Sequence, residues 1–298
     1  MREVFATAAA WLEEGRPFAL ATLAELRAAK TAPIGTSIAV DAKGNIAGNI
    51  GAGCYESEII ETAQQTLRDG TVRYLDINLD SDDELSGGTA CGAQMRLVVW
   101  RPGRSFLDDA RAISAGEHAV TLRVDSFEHI FPAKDPLLLI GATTLAAALA
   151  VMGRRAGFRV VVVDPRPVFA THERVPEADR IVHEWPDDYL PHVLTPHASV
   201  VVLSHDPKFD LPALRCALRS AARYIGLLGS RRAQRARRRA LRAEGFDDRA
   251  LERIHGPVGL DIGGATEGET AISILAEIIA YRSGRSGTPL VAELGAIH

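Results

Sequence analysis

Cysteine is scarce in this chain, with three in 298 residues. Cys54, Cys91 and Cys216 do not form the even, regularly spaced set of a disulfide framework, which points to a reducing compartment. No C-x-x-C pair or His/Cys cluster surrounds them, so a closed zinc site is not expected either. Long hydrophobic runs are also missing. The apolar stretches are too short or too interrupted to span a bilayer, and no signal-peptide pattern opens the sequence. The expectation is therefore a cytoplasmic protein with no membrane partner. A net charge of −4 leaves no basic excess for broad nucleic-acid binding. Internal repeats and low-complexity segments are absent as well.

What is present reads as an ordinary globular chain, 47% hydrophobic and 24% charged. Its length suggests two domains, each with its own core. Val4, Phe5, Ala8, Trp11 and Leu12 recur at helical spacing and predict an opening amphipathic helix. Phe18–Leu23, Thr36–Val40, Thr71–Ile77 and Gln94–Trp100 read as strands, with a helix over Ser57–Leu67 and an acidic loop at Asp80–Glu84. This first unit, residues 1–132, is expected to be a smaller α+β domain. From 133 to 298 the pattern changes. Leu137–Ile140 is a continuous apolar run, as in a parallel strand buried on both faces. Strands at 159–163, 180–182, 199–203 and 223–226 follow, interleaved with helices at 211–221, 231–244 and 267–282. That alternation predicts an α/β domain with a doubly wound parallel sheet.

Two cysteines occupy glycine-rich turns. Gly51-Ala52-Gly53-Cys54-Tyr55-Glu56 follows a strand-like run and opens a helix; Gly87-Gly88-Thr89-Ala90-Cys91-Gly92-Ala93 leads into a strand. Glycine lets the backbone approach a ligand closely, and a helix N-terminus favours thiolate. Soft thiolates suit copper(I), iron–sulfur or another sulfur-ligated centre. Cys216 lies in an apolar helical stretch and reads as inert core.

In the second unit, Gly141-Ala142-Thr143 forms the first βα turn and Asp164 closes the next strand. Position and acid suit a dinucleotide fingerprint, but Thr143 stands where the second glycine would let the backbone meet a pyrophosphate. Ordinary NAD(P) binding is thereby weakened, whereas a phosphate could still rest on the helix N-terminus. His205 falls at the carboxyl edge of the sheet, where such folds bind ligands. Gly229-Ser230-Arg231-Arg232 repeats the arrangement one strand on, with Ser230 as N-cap. Thr266-Glu267-Gly268-Glu269 fits a capping box. The arginine run from Arg231 to Arg242 reads as a largely solvated helix, with Arg231 and Arg232 placed for an anion.

At these residues the sequence resembles the XdhC/CoxI family of molybdoenzyme accessory proteins. Gly51–Glu56 is similar to the family's Gly-Gly-Gly-Cys-x-Glu turn, with Ala52 at the middle glycine, and Cys91-Gly92-Ala93 to its Cys-Gly-Gly turn. Asp164-Pro165-Arg166, Ser204-His205-Asp206, the Tyr224–Arg232 segment, Pro257–Gly263 and Ala271–Ala280 resemble blocks of its Rossmann-like half. Departures fall at Thr143, at Ala29–Gly35, which lacks the family arginine in register, and at Glu267-Gly268, which stands for Pro-Glu.

The resemblance implies binding of molybdenum cofactor, as molybdopterin or a dinucleotide form, its protection during sulfuration, and delivery to a xanthine-dehydrogenase-like or CO-dehydrogenase-like client. A cysteine desulfurase would be a further partner. Gly51, Gly53, Cys54, Glu56, Cys91, Gly141, Ala142, Thr143, Asp164, His205, Ser230 and Arg231 are the expected cofactor-binding residues. Cys54 and Cys91 would face the metal centre. No catalytic residue is expected, so the reading is a carrier rather than an enzyme. The alternatives are an NAD(P)-dependent oxidoreductase and a redox-regulated module pairing Cys54 with Cys91. A homodimer is the default expectation for a soluble homo-oligomer.

Overall fold

The structure is a computed structural model that describes residues 2–27, 32–50, 55–78 and 94–292. The turns carrying Cys54 and Cys91, the acidic loop Asp80–Glu84 and residues Gly51 to Gly53 lie outside them. The chain divides into two compact units between Ala133 and Lys134.

The first unit contains α1 (Glu3–Glu13), β1 (Phe18–Arg27), β2 (Ser37–Asp41), β3 (Ile46–Gly48), α2 (Glu56–Asp69), β4 (Arg73–Asn78), β5 (Gln94–Trp100), α3 (Leu107–Ala115), β6 (Val120–Val124) and β7 (Phe127–Phe131). Its five-stranded sheet has the order β3-β2-β1-β5-β4, and every pairing is antiparallel. Successive residues of β1 point to opposite faces, and both faces are covered. Phe18 and Leu20 join a core with α1, α3 and the β6–β7 hairpin. Ala19, Ala21 and Leu23 join Ile59 and Ala63 of α2 on the other side. The sequence places the end of β1 at Leu23, but pairing with β5 carries it to Arg27 through a bulge near Leu23 and Glu25. The β2–β3 turn closes on Asp41, whose carboxylate accepts from the Lys43 amide at 2.9 Å, the Asn45 amide at 2.8 Å and Arg16 Nε at 3.0 Å.

The second unit contains β8 (Pro136–Ile140), α4 (Thr144–Arg155), β9 (Arg159–Val163), β10 (Arg180–Val182), α5 (Pro186–Val193), β11 (Ser199–Val202), α6 (Pro207–Arg219), β12 (Tyr224–Leu227), α7 (Arg231–Ala243), α8 (Asp248–Glu252), β13 (Ile254–His255) and α9 (Glu267–Ser283). All pairings are parallel, in the order β10-β9-β8-β11-β12-β13. This is the doubly wound Rossmann arrangement, with its switch point between β8 and β11. Leu137 and Leu139 pack under α4 and α9, whereas Leu138 and Ile140 pack under α5, α6 and α7.

Helices α6 and α7 differ from the sequence reading. Helix α6 starts at Pro207 rather than Leu211, because proline is well placed in a first turn where its missing N–H costs nothing. The arginine-rich α7 is not simply solvated. Arg237 is buried and donates through Nε to Asp210 of α6 at 2.6 Å, with Nη2 forming the ion pair to the same carboxylate. Arg238 is half-buried and donates to the carbonyls of Leu251 and Ile254, each at 2.7 Å, which fixes α8 and β13. A helix with arginine on every face can still pack when each inward guanidinium meets an acceptor.

Candidate functional site

The carboxyl edge of the parallel sheet gathers most of the sequence-derived candidates of the second unit. Gly141 ends β8 with φ +103°, and a Cβ there would lie 3.1 Å from the Ser204 nitrogen. Only glycine lets this turn press against the start of the β11–α6 turn. Thr143 is the N-cap of α4 and accepts from the Ala146 amide at 3.1 Å. By helix geometry the amides of Thr144 and Leu145 remain the open donors of that first turn. Ser230 caps α7 through the Ala233 amide at 3.3 Å, and Asp206 caps α6 through the Lys208 amide at 3.0 Å. Thr266 and Glu269 complete the capping box of α9. The Thr144 hydroxyl donates to Glu267 Oε1, which brings the start of α9 to the start of α4. Four helix N-termini thus meet this edge, and each favours negative charge.

Asp164 is 1% exposed at the end of β9. Its carboxylate accepts from the Ala142 amide at 2.9 Å, and from the Arg166 amide, Nε and Nη2 at 3.0, 2.9 and 2.7 Å. Burial raises its pKa, but these hydrogen bonds outweigh burial and hold it below the ordinary carboxylate value. Four donors fill the acceptor sites of one carboxylate. The position matches a dinucleotide fold, yet no acceptor is left over for a ribose hydroxyl.

His205 is exposed beside Ser204 and makes no hydrogen bond among the described residues. Ser204 is buried and donates to Asp210 Oδ1 at 2.5 Å, which ties this turn to the Asp210–Arg237 pair. Arg231 and Arg232 are exposed on the first turn of α7. The edge therefore offers open amides, an imidazole and guanidinium groups, a donor set suited to a phosphate monoester.

An aromatic stack beside this edge has no signature in the sequence. The Arg166 guanidinium lies 4.6 Å from the Phe169 ring centre and 4.9 Å from that of Phe209. Phe209 stacks on Trp185 with centroids 5.2 Å apart. Phe169 comes from the β9–β10 connection, Trp185 from the turn before α5 and Phe209 from the first turn of α6, so no spacing rule could have joined them.

In the first unit, β1, β3 and β4 run in one direction, each antiparallel to its neighbour in the sheet. The chain leaves all three toward the same side. The segments bearing Cys54 and Cys91, which follow β3 and β4 in the chain, lie outside the described residues. Glu56 opens α2, and its Oε2 is buried without a hydrogen-bond partner among the described residues. Cys216 is half-buried against the core of the second unit, and burial pushes its thiol pKa up, as suits an inert cysteine. Among the described residues, no group of three or more His, Cys, Asp or Glu could hold a metal ion, and no helix is long and apolar enough to cross a membrane.

Residues 137–278 match the XdhC Rossmann domain, and residues 11–77 match the XdhC and CoxI family. The chain belongs to the XdhC/CoxI family. Among curated relatives, "Uncharacterized protein YqeB" of Escherichia coli K12 is 27% identical over 95% of this chain. The match covers 47% of YqeB, so this chain spans about half the length of that relative. A probable xanthine dehydrogenase component of Bacillus subtilis 168 is 25% identical over 92% of this chain and 96% of its own length. "Molybdenum cofactor insertion chaperone PaoD" of Escherichia coli K12 is 23% identical, over 91% and 85%. A crystal structure of a Bacillus halodurans protein described as a xanthine dehydrogenase has the same fold. Its TM-score is 0.76, with 24% identity and 97% of each chain covered.

Proposed function

We propose that this XdhC/CoxI protein carries molybdenum cofactor, protects it while the sulfido ligand is installed, and delivers it to a xanthine-dehydrogenase-like or CO-dehydrogenase-like enzyme. The cofactor is cargo, a phosphorylated pterin whose metal is held by sulfur. Its phosphate end would rest near Gly141, Ala142 and Thr143, with His205, Ser230 and Arg231 at the same edge. Cys54 and Cys91 would face the metal or its sulfur, with Gly51, Gly53 and Glu56 shaping that turn. A cysteine desulfurase would supply sulfur, and the protein would work in the cytoplasm, as a homodimer if it self-associates.

The observation that carries the reading is the saturated Asp164. A Rossmann edge that keeps its anion-binding helix starts but spends its ribose acid internally favours a guest held through its phosphate alone over NAD(P), which such folds also hold by a ribose hydroxyl. The names of two relatives, one a cofactor insertion chaperone and one a dehydrogenase component, support the same reading.

The test is cofactor analysis of freshly purified protein from a cell that makes molybdenum cofactor. Denaturation and oxidation should release a fluorescent pterin together with molybdenum, and Cys54→Ala should lower the yield. Unchanged occupancy in that variant would remove the thiol from the site. Micromolar NAD(P)H binding without any pterin would overturn the carrier reading.

A further inference from the structure

The helix pair α5 and α6 holds a groove of about 510 Å³ on the second unit, lined among others by Trp185, Asp187, Asp188, Lys208, Leu211 and Arg215. A volume of that size accommodates a small heterocycle with its substituent. Trp185 is 44% exposed although its ring stacks against Phe209, so a large aromatic is held in a fixed pose at the groove while much of it faces solvent. An indole in that state is a platform for another flat ring. Two carboxylates, Asp187 and Asp188, stand in the first turn of α5 beside it. Both are exposed, and neither has an ion-pair partner among the described residues. Across the groove Lys208 lies three residues beyond His205, while Arg215 is held by Glu244 at 3.1 Å.

We propose that this groove recognises the 2-amino-4-oxopyrimidine edge that pterins and guanine share. That edge presents two adjacent N–H donors on one flat ring. A carboxylate accepts both together, whereas adenine and cytosine offer only their exocyclic amine as a donor there. The ring would stack on Trp185, its donor pair would meet Asp187 or Asp188, and Lys208 would lie toward the attached anionic group. Leu211 supplies the apolar floor. The groove opens next to the sheet edge given above for the phosphate, and the choice of ligand class rests on the carrier reading. The pterin ring of the cofactor and the base of a guanine dinucleotide form are the two sources of the same chemistry.

The test uses the full chain and free ligands, without molybdenum. Neopterin, GMP, AMP and CMP are titrated separately by calorimetry, and the indole N–H resonance of Trp185 is followed by NMR. Neopterin and GMP should each shift that resonance, and AMP and CMP should bind about tenfold more weakly or worse. Neopterin binding without GMP assigns the groove to the pterin ring; the reverse assigns it to a guanine base. Trp185→Ala should abolish binding and Trp185→Phe should keep part of it, with unchanged circular dichroism. The double variant Asp187→Asn, Asp188→Asn should remove the preference over AMP. Equal binding of all four ligands, no shift at Trp185, or full binding by Trp185→Ala would overturn the proposal. Copurified pterin with no free-ligand binding would sink this groove alone and leave the carrier reading standing. Free-ligand binding with no copurified pterin would do the opposite.

Discussion

The Asp210–Arg237 pair shows how one residue can change the meaning of a whole segment. Asp210 is fully buried, and burial raises its pKa, opposed by hydrogen bonds from Ser204 and Arg237. Removing one partner of such a pair strands the other charge, at a cost of about 3–5 kcal/mol. Arg237→Ala should therefore lower unfolding stability by that amount in urea. Arg231→Ala, on the exposed first turn of the same helix, should stay within about 0.5 kcal/mol of the parent. Seven arginines at helical spacing could not announce that Arg237 is the buried one. The deciding acceptor sits on α6, far off in sequence. Asp164 teaches the complementary lesson: its position at the strand end was legible, but its engagement by Arg166 and the Ala142 amide was not.

At the scale of elements, legibility followed burial. The central parallel strands β8, β9, β11 and β12 were visible because each is a short, largely apolar run closed on both faces, whereas the two-residue β13 was not. Helix α5 leaves almost no trace in the sequence, since Pro186, Pro191 and two aspartates allow little periodicity in eight residues. The β6–β7 hairpin was hidden for a related reason. Its turn uses Asp125 at φ +51° rather than the asparagine–glycine pair that signals such turns. The β2–β3 turn offers a test in pH. Burial raises the pKa of Asp41, but Arg16, Asn45 and the Lys43 amide outweigh it and bring the carboxyl to about 2. A depressed folded-state pKa contributes stability above the unfolded value, about 3.9, and that contribution is lost as pH falls toward the folded one. Asp41→Asn should thus be less stable than the parent at neutral pH. The gap should narrow between about pH 4 and pH 2, followed by urea midpoints across that range.

At the scale of the molecule, each unit closes its own cores. The sheet of the first is covered by α1 and α3 on one side and α2 on the other, and the parallel sheet has helices on both faces. A fragment beginning at Lys134 should fold alone and melt cooperatively, followed by far-ultraviolet circular dichroism; a non-cooperative, featureless melt would show that it depends on the rest of the chain. Composition and periodicity both change near residue 133, where the sequence reading sets its boundary. Chemistry carried by a single unit was not legible, because the Trp185–Phe209–Arg166 stack exists only once three connections of the fold have been wound.

The parallel sheet also tapers. Its outermost strands are β10, with three residues, and β13, with two. Such stubs leave very few peptide groups at either margin for a foreign strand to zip onto. Copies of this protein that meet in a crowded cell are thereby kept from fusing rim to rim, and any association they form through this unit must be negotiated by side chains, which selection can tune one at a time.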